Sequence, residues 1–244
     1  MAVFPKTPKF ENISSDATFI NHYSKLLAEI EKIAKGGNPG LALNEVIYKL
    51  MPYVQQYNME YTQGNIANGQ EAASYALSVT NYISAEYQAS SHDTGAALKA
   101  DVVNAMKAYQ QFNNFYNKVV SSGKDNPFGS MGSNVLGQLK NILGNNTDPS
   151  SSKDVTNLEK FWTESWKMDS SNSSGTSGNG TNSMIMQDIN GAQNQAQSDA
   201  AYLQSEAKIA NEDYQKYAAT EHDIAQNIVS VEKAAVSASQ SAGN

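Results

Sequence analysis

The sequence predicts an all-α protein, an elongated helical bundle with long antiparallel coiled-coil helices and a flexible linker rich in Gly, Ser and Asn. Apolar residues recur at helical spacing through most of the 244 residues, and no segment shows the two-residue alternation that is typical of strands. Residues 183–238 also hold a seven-residue apolar repeat without Pro and, after Gly191, without Gly. A repeat with steps of three and four residues indicates a coiled-coil helix.

Residues 183–244 are therefore predicted to form one long C-terminal coiled-coil helix. The contact positions of its repeat are uncharged except for Glu221. A helix cannot bury such a stripe by itself, so we expect it to pack on another long helix, either of this chain or of a second copy, and the sequence leaves both open. The predicted assembly seam consists of Leu203, Ala207, Ala210, Tyr214, Tyr217, Ile224, Ile228 and Val231.

The N-terminal part is predicted to be a leader followed by a helical body. Residues 1–13 contain two prolines and no apolar period, which indicates a flexible leader. The body spans residues 14–168, and its first helix should stop at the Gly-Gly-Asn-Pro run of residues 36–39. A second apolar helix, residues 41–61, contains Pro52, which should kink or divide it.

Within the body, residues 65–121 are predicted to form an αα-hairpin. Two regular apolar repeats flank a short polar loop at residues 90–94. Because a short loop joins neighbouring helices, the two helices should be antiparallel. The predicted hairpin seam consists of Leu98, Val102, Tyr109, Phe112, Tyr116 and Val119.

The segment after the hairpin predicts short helices and then a linker. Gly and Pro interrupt residues 121–152 and leave room for one short helix around residues 133–143. A helix at residues 153–168 carries both Trp residues, whose rings either cap the bundle or anchor it on a membrane or partner. Residues 169–182 contain almost only Gly, Ser, Asn and Thr, which indicates a linker.

Composition argues against several classes of function. The net charge is -7 and no basic stripe is present, so nucleic acid is not expected as a partner. The chain has no Cys, and its three His residues have no acidic or His neighbours at a metal-binding spacing, so we expect no metal and no cofactor. No nucleophile motif and no phosphate-binding loop occur, so we do not expect an enzyme. The N-terminus has no features of a cleaved signal peptide and no apolar run could span a bilayer, so membrane contact is expected only indirectly.

The order of segments resembles the hydrophilic extracellular components of bacterial type III secretion systems, the needle-tip and EspA-type filament proteins. Proteins of this kind lack Cys and a cleaved signal, begin with a leader that the secretion machine reads, and pair a long central helix with a long C-terminal helix. The matching segments are residues 1–13, 16–61, 94–120 and 183–238, with residues 121–182 as the insert between the paired helices.

The resemblance implies a secreted structural protein of virulence-related translocation. Copies would leave the cytoplasm without a cleaved signal and assemble at or outside the bacterial cell surface, through coiled-coil contacts, into a homo-oligomeric tip or filament. It also implies a secretion chaperone that covers the C-terminal stripe in the cytosol. The alternative is a secreted helical effector or adaptor that binds a protein partner without polymerising, and a stable monomer would distinguish it.

Overall fold

The computed structural model describes residues 2–10, 16–122, 126–170 and 180–242, and every regular element in these ranges is helical. The all-α prediction is therefore confirmed for the described residues. Most of the predicted linker and the end of the predicted leader lie outside them. The elements in chain order are α1 (Asp16–Lys35), α2 (Pro39–Glu45), a π-helical turn (Val46–Leu50), α3 (Met51–Ala89), α4 (Ala96–Val120), α5 (Met131–Ile142), α6 (Ser152–Ser170) and α7 (Gly180–Ala242).

The chain is divided into two compact units, and each contains part of α3 and part of α7. Unit 1 comprises Met1–Phe10 and Ala67–Gln204, and unit 2 comprises Glu11–Ile66 and Ser205–Asn244. The unit boundary in α7 therefore follows Gln204, whereas the sequence pattern placed the boundary between body and rod at residues 169–182.

The predicted stop after the first helix also begins the second. Helix α1 ends at Lys35, and Gly37 then adopts a φ of 84°, a conformation that favours glycine. The side chain of Asn38 accepts a hydrogen bond from the Leu41 backbone N–H at 3.2 Å, and Pro39 occupies the first helical position of α2. Local capping chemistry thus accounts for this break.

Pro52 lies in the first turn of α3, directly after the π-helical turn. Proline cannot donate a backbone hydrogen bond, so a regular α-helix would lose one bond at this position. The helix widens immediately before it, and the Met51 N–H bonds to the carbonyl of Val46, five residues earlier. The expected irregularity at Pro52 is thus a π-helical turn between α2 and α3.

The core of unit 1 is built by α3, α4, α5, α6 and the first part of α7. Its largest fully buried side chain in the described ranges is Trp162 of α6, which donates from Nε1 to the carbonyl of Ile142 at 2.9 Å. Phe112 of α4 lies 5.5 Å from the Tyr75 ring and 5.7 Å from the Phe128 ring. Aromatic rings therefore occupy much of this core.

Residues 2–10 pack on α3 and α4, whereas the sequence pattern predicted a flexible leader. The Phe4 ring meets the edge of Tyr82 at 5.2 Å, and Gln111 Nε2 donates to the Pro5 carbonyl at 2.9 Å. Phe10 packs against Phe128 at 5.9 Å. Ring contacts and one hydrogen bond to a backbone carbonyl hold this segment in place. Such contacts produce no helical period, so the sequence pattern did not predict them.

The first part of α7 belongs to the core of unit 1. Ile185, Ile189, Ala192 and Ala196 are all buried, with spacings of four, three and four residues. Each of these side chains faces the unit 1 core, so α7 completes that core before it continues into unit 2.

Unit 2 has a much thinner core. Its buried apolar side chains in the described ranges are Ile30, Ala42, Ile47 and Ile66. Aromatic stacking adds to them, because Phe19 of α1 stacks on Tyr57 of α3 with ring centroids 3.9 Å apart. Unit 2 therefore has few fully buried contacts to hold its helices together.

Candidate interaction site

The titratable groups in the described ranges do not form a metal site. No group of three His, Cys, Asp or Glu residues among them is arranged to hold a metal ion. His22 packs on the Tyr53 ring at 4.4 Å, His92 is exposed in the turn before α4, and His222 contacts Gln226. Each His in the described ranges thus has a packing or surface role.

The Trp-bearing helix α6 is part of the unit 1 core. Trp166 stacks on Tyr87 at 4.6 Å and donates from Nε1 to Ser90 Oγ at 3.1 Å. Phe161 packs over Gly144, where an added Cβ would lie 2.9 Å from the ring. These rings are used inside the chain, so they do not form an exposed anchor. Separately, no helix in the described ranges is long and apolar enough to cross a membrane.

Carboxylates gather where α3 turns into α4. Asp101 Oδ2 is buried without a hydrogen-bond partner among the described residues. Its burial, followed by the nearby carboxylates of Asp93 and Glu86, raises the pKa of Asp101 from 3.8 to about 7. Burial likewise raises the pKa of Tyr82 to about 12, with Glu86 adding to the shift. The surroundings of Asp101 therefore favour its neutral carboxyl group over the carboxylate.

The predicted hairpin seam lies within unit 1. Val102, Tyr109 and Phe112 are buried in its core, while Leu98, Tyr116 and Val119 are partly buried against it. These six residues are therefore used in packing within the chain.

The predicted assembly seam divides into three environments. Leu203 packs in unit 1 on Gly69 of α3, where an added Cβ would lie 2.8 Å from Leu203 Cδ1. In unit 2 the half-buried members are Ala207, Ala210, Tyr214 and Ile228. Tyr217, Ile224 and Val231 are exposed, by 63%, 38% and 67% respectively.

The exposed members of the seam belong to a row of exposed apolar side chains on α7, which the sequence pattern did not distinguish from the rest of the seam. Ile209 is 49% exposed, and Ile209, Tyr217, Ile224 and Val231 follow at steps of eight, seven and seven residues. Two helical turns take 7.2 residues, so these four side chains lie on one face of a straight α-helix. We call them the exposed stripe. The sequence signal of this helix face is the average spacing of its four apolar residues, which is slightly more than seven positions.

A cleft in unit 2 runs between α1, the start of α3 and α7. It has a volume of about 630 Å³, and its walls include Tyr23 of α1, the methionines Met51 and Met59 of α3, and Tyr214 of α7. The cleft could not be found from the sequence, because its walls come from helices about 150 residues apart.

Two carboxylates are the charged side chains among the described residues that line the cleft. They are Glu206 and Asp213, both on α7, and no Lys or His joins them in the lining. Asp213 also forms an exposed ion pair with Lys216 at 3.3 Å. The cleft thus combines an apolar surface with negative charge at its α7 side.

Comparison with known proteins found no matching family model, no similar curated protein and no similar solved structure.

Proposed function

We propose that this chain is a structural or interaction protein that assembles with other protein chains through the part of α7 in unit 2. The observation that carries the proposal is the exposed stripe, four large apolar side chains aligned over about 33 Å of helix. Full burial of each such side chain contributes roughly 1.5–3 kcal/mol relative to exposure. A row of exposed large apolar side chains on one helix face is typical of an interface between chains.

Coiled-coil packing is the mode of assembly that we propose. The seam positions of α7 alternate steps of three and four residues from Leu203 to Val231, which suits knobs-into-holes contacts. Within unit 1, contacts between α3 and α4 support an antiparallel hairpin, since Glu86 late in α3 meets Asn104 early in α4. Tyr75, earlier in α3, instead meets Phe112, later in α4.

The biological setting that we propose is a needle-tip or EspA-type filament of a type III secretion system. In this setting the chain is cytoplasmic before export, is secreted without a cleaved signal, and forms homo-oligomers outside the cell. A cytosolic chaperone covers the exposed stripe before export and prevents early assembly. Support comes from the order of helical segments and from an apolar stripe that the described part of the chain leaves exposed.

The cleft of unit 2 favours a second candidate function, a helical effector or adaptor. A concave surface lined by α1, α3 and α7 can accept one helix of a partner and leave the complex finite in size. In this case the chain would remain a monomer in the absence of that partner.

Light scattering after size exclusion, over a range of protein concentrations, tests the assembly proposal. The double variant Ile224→Asp/Val231→Asp places two charges on the exposed stripe, and we expect it to remove the concentration-dependent growth in mass of the full-length protein. The full chain is required because α7 also completes the unit 1 core.

A matched control is the double variant Ala218→Asp/Val229→Asp. Ala218 and Val229 are also exposed on α7, and the exposed fraction of Val229, 39%, is similar to the 38% of Ile224. Val229 lies five residues after Ile224, about 140° around the helix and away from the stripe. The control should assemble like the wild type. A wild-type mass that stays monomeric at every concentration would favour the adaptor function instead.

A further inference from the structure

We infer that the cleft between α1, α3 and α7 binds an amphipathic helix of a different protein, one that carries two basic residues seven positions apart beside its apolar face. This inference rests on the proposed function, because it names a kind of partner for unit 2. The cleft shares Ile209 and Tyr217 with the exposed stripe, whereas Ile224 and Val231 lie outside the cleft lining.

The shape of the cleft indicates a helix as the occupant. On α7 its lining residues extend from Glu206 to Tyr217, and on the other wall they extend from Leu50 to Gln63. At 1.5 Å per residue these walls are about 17 Å and 20 Å long, or three to four helical turns. A groove bounded by helices along this length matches the packing of a third helix against two others.

The lining of the cleft suits an apolar surface of variable shape. Met51, Met59, Val54 and Ile209 contribute apolar side chains to it. Methionine is unbranched and flexible, so the two methionines can adjust to the side chains of an incoming helix. The small side chain of Ala210 lets the occupant approach α7 closely.

The charges in the lining predict basic residues on the occupant. Glu206 and Asp213 are seven residues apart, so they lie on one face of α7 about 10.5 Å from each other. Glu206 has no ion pair with any described residue, and the exposed pair of Asp213 with Lys216 is worth little. A helix lying along α7 would place Lys or Arg residues at positions i and i+7 next to these carboxylates.

The described helices of a second copy do not meet this requirement. Lysines seven residues apart occur on α6, whose apolar face is buried around Trp162, and on α1, at Lys25 and Lys32. Both α1 lysines lie more than 130° around the helix from Ile30, its buried apolar residue, so they do not flank its apolar face. The occupant is therefore a different protein.

A designed helical peptide tests the inference. The probe is a fluorescein-labelled 21-residue peptide with a Leu/Ala face and Lys at positions i and i+7 beside it. Anisotropy titrations use the full-length protein. A control peptide with Glu in place of both Lys residues should bind at least about tenfold more weakly. Binding of the Lys peptide should weaken as the salt concentration rises.

One double variant and one single variant locate the binding site. Glu206→Gln/Asp213→Asn should weaken binding of the Lys peptide about tenfold, and Ala210→Trp, which fills the groove, should abolish it. The control Glu212→Gln/Asp223→Asn removes the same charge from exposed positions of α7 outside the cleft and should bind like the wild type.

Equal binding of the Lys and Glu peptides, or an equal loss in the cleft and control variants, overturns the inference. Such a result leaves the assembly proposal intact if the Ile224→Asp/Val231→Asp variant still loses concentration-dependent mass. Conversely, if the protein binds the Lys peptide specifically but never assembles, the homo-oligomer proposal is wrong and the cleft inference stands. The two failures are therefore distinguishable.

Discussion

Buried polar atoms in unit 1 differ sharply in how well they are satisfied. The Trp162 indole N–H and the Tyr87 hydroxyl both have hydrogen-bond partners, at 2.9 Å and 2.8 Å respectively. Asp101 Oδ2 has none among the described residues and lies near two further carboxylates. Because burial without a partner disfavours the charged form of a carboxyl group, ionisation of Asp101 should lower the free energy of unfolding.

Asp101→Asn should stabilise the protein at pH 8 by roughly 1 kcal/mol, a value kept low because solvent screens a half-buried group. The pKa of Asp101 is about 7 in the folded protein against 3.8 ordinarily, so the folded state binds more protons between these values. Stability from this group is thus fully present below about pH 4 and is lost as pH rises through 7. Urea unfolding followed by circular dichroism from pH 4 to 8 measures the effect.

The variant should therefore show a flatter dependence of unfolding free energy on pH than the wild type. Glu71→Gln changes an exposed carboxylate of α3 and should leave the slope unchanged. A wild-type stability that rises steadily from pH 5 to 8 and falls in Asp101→Asn would contradict the raised pKa.

At the scale of elements, α5 shows how small residues set the spacing between helices. Gly132 is the second residue of this helix and packs on Tyr116 of α4, so that an added Cβ would lie 2.5 Å from the Tyr116 ring and 2.8 Å from Phe128 Cβ. Gly137, one and a half turns later in α5, has nothing within 4 Å of the same position. At Gly132 the packing leaves no room for a side chain, whereas at Gly137 the absence of a side chain only adds backbone freedom.

Gly132→Ala and Gly137→Ala should change stability in opposite directions. The first should destabilise the protein by about 1–3 kcal/mol, because the new methyl group overfills the contact with α4. The second should stabilise it by about 0.5–1 kcal/mol, because alanine loses less backbone entropy in a helix. Chemical denaturation of the two variants measures this, and a gain in stability for Gly132→Ala would show that Tyr116 moves aside freely.

Helix α7 shows that one repeat can serve two purposes. Its apolar repeat positions from Ile185 to Ala196 alternate steps of three and four residues and are buried in unit 1. The same spacing continues past Ser205, yet Ile224 and Val231 are exposed there. Glu221 in this part has a buried Oε1 without a partner among the described residues, and burial raises the pKa of its carboxyl. The repeat therefore predicts which residues form a contact face, but it does not predict which part of that face another helix covers.

At the scale of the whole molecule, the two units differ in how much apolar surface they bury. Unit 1 contains the cluster of fully buried side chains around Trp162, Phe112 and Leu139. Unit 2 exposes large apolar side chains on several helices, among them Ile20, Leu43, Tyr48, Tyr217 and Val231. Burial of apolar surface is the main favourable term in folding, so unit 2 should be the less stable part.

Hydrogen exchange followed by mass spectrometry should resolve this difference. Under conditions in which opening is fast, amides of α1 should exchange about tenfold faster or more than amides of α4 between Val102 and Phe112. Adding the Lys peptide that fits the cleft should slow exchange in α1 and leave α4 unchanged. Equal protection of the two helices in the free protein would mean that unit 2 is stabilised by contacts other than apolar burial.

The helices and several of their ends were predictable because the responsible interactions are local. Apolar spacing over three and four residues identified α4 and α7, and the Gly-Gly-Asn-Pro run identified the end of α1 through a capping side chain and a ring that cannot donate. The predicted function rested on helix surfaces because the sequence contains no Cys and no His cluster with metal-ligand spacing. The predicted hairpin seam is a set of contact positions on one helix face, which a period alone can find.

Only the tertiary structure decided which contact positions remain exposed and where they form a site. Three features join segments far apart in the chain: the packing of Phe4 on α3 and of Phe10 on α4, the contact of Leu203 with Gly69, and the cleft beside Glu206. Periodicity records that a residue belongs to a contact face, but burial depends on what lies opposite that face. That partner is set by packing between distant helices, so the sequence by itself determined the helices and the structure decided the surfaces.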